Sequence, residues 1–452
     1  MTRTLCGTAV LAALGLALLL GLWLEPPQLL RIGANYAAKM VCSNVFLAGR
    51  DPDEVLRDDV QAPGAALLRL MRVSVDREHG IVRAGLGGFI GDGLAVARPG
   101  VGCAVLPPGW PHEPWRTAVA SAKNVPNRQP WPAGDDAEPE AALERIIADD
   151  GLTGLGTRAV LVVHRGHLVA ERYGAGFGPR TRQLGWSLTK TVTAALIGIQ
   201  IEAGRLALAQ PAGWPADDAR GAVRIADLLS MSSGLHFNEG YGAISDVTRM
   251  LFLEPDMAAF VRAQPLEHPV GSVWSYSSGS AVLLAQLVQQ SAGPTARDFA
   301  HDRLFAPLGM TSALIETDAH GTPVGSSYMY ATARDWARYG QFLLQDGMWQ
   351  GRQLLPPGYV AMLHAPGAAS RGQYGQGPVW LWGSDPTTPG ENPDTAYGIP
   401  PDTYWMEGHD GQFIAIIPSR ALVVVRLGLT PARLNFRPQP LLRALLDSLD
   451  QT

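Results

Sequence analysis

Apolar, strand-like runs stand at both ends of residues 140–452, and mainly helical patterns fill the stretch between them. Near the start, Ala159-Val160-Leu161-Val162-Val163 is followed by a turn at His164-Arg165-Gly166-His167 and a return along Leu168 to Tyr173. That pattern predicts a hairpin. Near the end, Phe413 to Ile417 and Leu422 to Leu427 read as two more strands, followed by a helix from Pro440 to Leu449. The middle predicts helices over Thr191 to Ala203, Ala226 to Met231, Asp256 to Ala263, Ala281 to Ser291 and Ala333 to Asp346, and a short one opens the region over Ala141 to Asp150. Strands from both ends must meet in one sheet, with the helices as an inserted lobe. The expected class is α+β: an antiparallel sheet carrying a mainly helical lobe.

Three regions follow along the chain: 1–24, 25–139 and 140–452. The first holds a run without charge, Leu5 to Leu24, long enough as a helix to span a hydrocarbon core of about 30 Å. It ends in Leu22-Trp23-Leu24-Glu25-Pro26-Pro27, with no small-x-small cleavage site. The run is read as an uncleaved anchor with Trp23 near the interface; a cleaved export signal is the alternative. Arg3 favours a cytoplasmic N-terminus, although Arg31 and Lys39 weaken the bias. Thr4-Leu5-Cys6 lacks the small residue that a lipid-attachment site needs. Both readings place the bulk of the chain outside the cytoplasm; the anchor reading holds it at an inner membrane, single-pass, with residues 25–452 on the periplasmic side. An oxidising compartment then gives Cys42 and Cys103 a meaning, since they are the only cysteines outside the run. A disulfide between them is expected, with two buried thiols as the alternative.

Residues 25–139 predict a small ordered region. Asn35 to Phe46 is helical in pattern. Leu67 to Val75 and Ile81 to Ala84 form a hairpin around Asp76-Arg77-Glu78-His79-Gly80, and Leu94 to Ala97 and Cys103 to Leu106 are short strands. Pro107 to Pro139 reads as an extended connection. Hydrophobic residues make up 46% of the 452, and charged ones 17%, which excludes a disordered chain. The net charge of −5 offers no basic face, so nucleic acid is not an expected partner. Three cysteines exclude a tetrahedral cysteine zinc site.

Chemistry concentrates in three places. Gly185-Trp186-Ser187-Leu188-Thr189-Lys190 precedes a helix, and its serine and lysine share a helical face three residues apart. A serine at a helix start carries an unpaired N–H, and a nearby lysine can take its proton. Trp274-Ser275-Tyr276-Ser277-Ser278-Gly279 is a polar loop before another helix. Glu407-Gly408-His409-Asp410-Gly411-Gln412 leads into the strand Phe413 to Ile417. Taken singly, these are a capped surface helix, a second helix cap and a turn.

In this order the three motifs resemble the serine β-lactamase and penicillin-binding protein superfamily, and most of all its class C, esterase and 6-aminohexanoate-dimer hydrolase branch. S-x-x-K is matched by Ser187 and Lys190, Y-x-N/S by Tyr276 and Ser278, and H-x-G by His409 and Gly411. The segments Leu228 to Leu235, Leu304 to Met310 and Tyr330 to Asp335 are also similar, as is Met40 to Pro52 to exported members. The resemblance implies a serine hydrolase acting through an acyl-enzyme, with no cofactor and no metal. Ser187 is then the nucleophile, and Lys190 and Tyr276 exchange its proton. The backbone N–H groups of Ser187 and Gln412 are the implied oxyanion donors, and Ser278, His409 and Gly411 orient the substrate. Tyr241 and Asp246 fall in a loop that helps bind substrate in 6-aminohexanoate-dimer hydrolases. Two departures bear on the substrate, which is expected to be a small molecule or short peptide. Ser278 stands where many relatives have Asn, and His409-Asp410 stands where they have a lysine followed by Thr or Ser. Losing a fixed cation disfavours a β-lactam carboxylate and favours a neutral ester or amide. A D-Ala-D-Ala-type peptidase, a β-lactamase and a non-catalytic penicillin-binding-like sensor are the alternatives. No G-x-S-x-G elbow marks an α/β-hydrolase. His164, His167 and Glu171 lack the H-E-x-x-H spacing of a helical zinc site.

Overall fold

The computed structural model describes residues 13–15, 20–64, 66–107, 109–111, 128–385 and 390–451. The chain divides into two units. One comprises Met1–Ala118 with Glu239–Pro255, and the other Val119–Asn238 with Asp256–Thr452. The sequence reading placed residues 239–255 in the hydrolase domain; in the fold they cluster with the N-terminal unit.

The N-terminal unit is one long helix, Gln28–Phe46, laid on a four-stranded antiparallel sheet in the order β1 (Met71–Asp76), β2 (Ile81–Leu86), β3 (Ile90–Arg98), β4 (Gly102–Val105). The helix packs close because both surfaces are small. Ala34, Ala37 and Ala38 are fully buried on it, and a Cβ added at Gly93 of β3 would come within 2.5 Å of the Ala34 carbonyl. Asn35 holds this unit together: its amide donates to the Phe252 carbonyl at 2.6 Å, and its oxygen accepts from Leu94 N–H at 3.2 Å. A disulfide joins Cys42 of the helix to Cys103 of β4, as expected.

Most of the anchor run Leu5 to Leu24 lies outside the described residues. Among the described residues no single helix is long and apolar enough to cross a membrane. Ala13–Leu24 and Gln28–Phe46 pass that test only together, as a pair bent by 61°. The second of these is largely a core helix, buried from Ile32 to Val45 except at the half-buried Tyr36.

The second unit carries the predicted sheet. Its five strands run in the order β12 (Tyr404–Gly408), β13 (Gln412–Ile417), β14 (Leu422–Gly428), β5 (Thr157–His164), β6 (His167–Tyr173), all antiparallel. The N-terminal hairpin thus joins the C-terminal strands through the β14–β5 ladder, where Val424 faces Val162. One face packs on the Gln439–Leu449 helix through Leu441, Leu442, Leu445 and Leu446, with Leu143 and Ile147 of the Ala141–Ile147 helix. The Ala333–Leu344 helix lies against β13, β14 and β5. It packs so close that a Cβ at Gly340 would sit 2.6 Å from Val423. Helices Leu188–Glu202 and Ser278–Ala292 pack together in the inserted lobe. The sequence reading did not anticipate β12, nor the three-stranded sheet β7 (Arg182–Leu184), β9 (Met329–Thr332), β8 (Leu314–Ile315). A last hairpin pairs β10 (Met348–Trp349) with β11 (Arg352–Gln353).

Candidate active site

Ser187 sits on a forced turn. Trp186 before it has φ +49, a left-handed conformation that a bulky residue adopts only when its surroundings hold it there. Gly185 is required beside it, because a Cβ there would lie 2.3 Å from the Trp336 ring. The turn runs straight into the Leu188–Glu202 helix, so Ser187 occupies the N-cap position. Its side chain caps nothing and is left for other work.

One helical turn on, Lys190 is 1% exposed. Its Nζ donates to Ser187 Oγ at 2.8 Å, to Ser278 Oγ at 3.1 Å and to the Ser326 carbonyl at 3.1 Å. Three oxygens suit an ammonium with three donors. They also suit a neutral amine, which would donate to Ser278 and Ser326 and accept the Ser187 proton on its lone pair. Lys190 Nζ also lies 4.8 Å from the centroid of the Tyr276 ring. Ser278 reaches Lys190 because the second helix begins at Ser278 itself, with Ser277 capping it through Ser280 N–H at 3.1 Å. The fold therefore gathers Ser187, Lys190, Tyr276 and Ser278, which stand up to 91 residues apart in sequence.

The third motif forms the β12–β13 turn. His409 sits edge-on to Trp186, with ring centroids 5.6 Å apart, and its Nε2 is 3.5 Å from Asp410 Oδ1. Asp410 and Gly411 are both left-handed, at φ +61 and +74. This turn is held from behind by Arg426, a fully buried arginine on β14. Arg426 donates to the Gly411 carbonyl at 2.7 Å, the Thr153 carbonyl at 2.8 Å and Thr430 Oγ1 at 2.6 Å, and stacks on Phe436. Burial pushes its pKa down from the usual arginine range. The sequence reading passed over Arg426, because a charged residue in an apolar strand gives no sign of what it will touch.

The register corrects one expected role. Trp405 exchanges both backbone hydrogen bonds with Trp380, each at 2.8 Å, so its N–H and C=O point away from β13. Backbone direction alternates along a strand, so Gly408 points toward β13 and pairs with Gln412. The Gln412 N–H therefore belongs to the sheet ladder and is not free to bind an oxyanion. The Gln412 side chain is tied as well, donating to the Leu184 carbonyl at 3.0 Å. By the same alternation the Glu407 N–H points to the side of β12 away from β13, the side on which Trp380 pairs with Trp405. Among the described residues the Ser187 N–H has no hydrogen-bond partner. The end of β12 lies against the nucleophile's turn, since a Cβ at Gly408 would meet the Gly185 carbonyl at 2.5 Å and Leu188 Cγ at 3.4 Å. The Glu407 carboxyl is pushed up to about 7 by burial, and its Oε1 accepts from Ser384 N–H at 2.6 Å.

Tyr241 and Asp246 belong to the N-terminal unit's segment 239–255. Asp246 opens the Asp246–Phe252 helix behind the Ser245 cap, where a carboxylate complements the helix dipole. His164, His167 and Glu171 are not brought together as metal ligands. Glu171 is held by Arg334 and by the Tyr173 hydroxyl at 2.7 Å, and His167 Nδ1 is 2.9 Å from Glu138. Among the described residues no cluster of three or more His, Cys, Asp or Glu could hold a metal ion.

The β-lactamase family model matches residues 141–435, well over half of the chain. The 6-aminohexanoate-dimer hydrolase of Paenarthrobacter ureafaciens is 26% identical over 283 residues, covering 57% of this chain and 71% of that protein. Among solved structures, the penicillin binding protein from Bacillus halodurans aligns with a TM-score of 0.51 at 21% identity, over 69% of this chain and 99% of its own. A family VIII carboxylesterase aligns at 0.52 and 15% identity, over 68% and 96%. These structural likenesses are likenesses of fold. With the family match and a lysine-paired serine at a helix start, the chain belongs to the β-lactamase family of serine hydrolases.

Proposed function

We propose that the protein hydrolyses a carboxyl ester or amide through an acyl-enzyme on Ser187. The observation that carries this reading is the Lys190 Nζ–Ser187 Oγ contact of 2.8 Å, inside a buried cluster that includes Ser278. Lys190 takes the Ser187 proton as Oγ attacks the carbonyl carbon. Tyr276 delivers a proton to the departing group, then helps activate the water that releases the acyl product. The Ser187 and Glu407 N–H groups receive the developing oxyanion; removing one such donor typically costs about 100–1000-fold in rate. Ser278 and His409 orient the substrate, and no cofactor is required.

The preferred substrate is a neutral ester or amide in place of a β-lactam. His409 with Asp410 3.5 Å away makes a poorer site for a ligand carboxylate than a lysine would. Support also comes from the 6-aminohexanoate-dimer hydrolase relative, an enzyme named for an amide-linked substrate. The uncharged run Leu5 to Leu24 and the Cys42–Cys103 disulfide support a membrane-anchored enzyme working on the extracytoplasmic side. Steady-state kcat/KM for nitrocefin and for p-nitrophenyl butyrate on one preparation tests the substrate class. The ester value is expected to exceed the nitrocefin value, and His409→Lys should narrow the gap. A nitrocefin value equal to or above the ester's would make the protein a β-lactamase proper.

A further inference from the structure

The catalytic tyrosine does not stand alone. Its ring stacks on Trp380, with centroids 5.5 Å apart and planes 28° from parallel. Tyr374 meets both rings edge-on, at 5.9 Å from Tyr276 and 5.0 Å from Trp380. Trp274 closes the cluster at 5.5 Å from Tyr374 and 5.8 Å from Trp380. Tyr374 is buried, whereas Tyr276 and Trp380 each keep part of their surface in solvent. Trp380 is also fixed through its backbone, which adds one residue of pairing to the edge of β12 at Trp405. The result is a rigid aromatic platform continuous with Tyr276, and aromatic rings give large contact area at little cost in side-chain freedom.

We infer that this platform is the subsite for the leaving group, and that the preferred substrates carry a flat or extended apolar alcohol or amine portion. The inference rests on the acyl-transfer reading above. In acylation the Ser187 Oγ–carbonyl carbon bond forms and the bond from that carbon to the leaving oxygen or nitrogen breaks. The serine proton passes by way of Lys190 and Tyr276 to the departing atom, so that atom must lie within hydrogen-bond reach of the Tyr276 hydroxyl. Whatever is attached to it then lies on the surface that continues from Tyr276, which is the part-exposed ring of Trp380. The acyl portion stays with Ser187 and makes no demand on this surface.

Two ester series separate the sides. In acetates of ethanol, butan-1-ol, hexan-1-ol and 2-phenylethanol the acyl group is constant, and in ethyl acetate, butyrate and hexanoate the leaving group is constant. The value of kcat/KM should rise along the alcohol series, by up to about fourfold per buried methylene, and should change less than about twofold per methylene along the acyl series. Trp380→Ala should cut the hexyl-to-ethyl preference at least about tenfold, and Trp380→Tyr, which keeps a flat ring, should retain most of it. Turnover without alcohol-side preference in the wild type, or a preference that survives Trp380→Ala, overturns the subsite and leaves acyl transfer standing. No turnover of any ester, with no fluorophosphonate labelling of Ser187, overturns the acyl-transfer reading and the subsite with it.

Discussion

Lys190 has two tasks open to it, to hold Ser187 in place or to take its proton, and its contacts with Ser187, Ser278 and Ser326 fit both. Arginine separates them. A guanidinium stays charged at accessible pH, so it can donate to Ser187 but cannot accept from it. Lys190→Arg should therefore lose the acylation burst with p-nitrophenyl acetate by at least about a hundredfold in rate, while stopped-flow on the wild type shows it. A normal burst in the variant would remove Lys190 as the base and leave it a positioning role. The oxyanion donors show why spacing alone misplaced one residue. Gln412 follows the H-x-G motif, but which side of a strand a backbone N–H faces depends on register. Here the register was fixed by Trp380 pairing with Trp405, a contact 25 residues apart that no local pattern announces.

Strand β12 carries most of what the sequence left unread. Tyr404-Trp405-Met406-Glu407 has no β-branched residue, so it lacked the signature that made β5 and β14 legible. The long helices Leu188–Glu202, Ser278–Ala292 and Ala333–Leu344 were legible from their sustained apolar pattern, and Ser187 and Lys190 because a helix start fixes their shared face, whereas the short Asp246–Phe252 and Tyr359–Leu363 helices went unread. Helix starts were less so: the helix predicted to begin at Ala281 begins at Ser278, and that shift is what lets Ser278 reach Lys190. Glu407 gives β12 a pH dependence. Its folded pKa of about 7 stands above its ordinary value of 4.5, so between those values the native chain keeps a proton that the unfolded chain has lost. The stability this group contributes is full below about pH 4.5 and is lost as pH rises through 7. Urea midpoints across pH 4.5–7.5 should fall more steeply for the wild type than for Glu407→Gln. Parallel profiles would show that the half-buried carboxyl does not keep its proton in the folded chain.

The chain as a whole joins a disulfide-stapled N-terminal unit to a hydrolase unit, and residues 239–255 of the hydrolase sequence cluster with the former. That exchange was invisible in the sequence, because an insertion between helices carries no label saying which core it will join. The Cys42–Cys103 bridge spans 61 residues, and closing such a loop is worth about 4 kcal/mol in the chain-entropy model. Replacing both cysteines by serine should destabilise the N-terminal unit by about 3–4 kcal/mol in urea unfolding. Two alkylatable thiols in protein made in an oxidising compartment would contradict the bridge and weaken the case for export. The central claim is covalent catalysis at Ser187. Intact-mass and peptide-mapping mass spectrometry after a fluorophosphonate probe measures it directly. The account predicts one adduct, on the peptide carrying Ser187, with parallel loss of ester turnover and no adduct in Ser187→Ala. Labelling elsewhere, or normal turnover in Ser187→Ala, would contradict it.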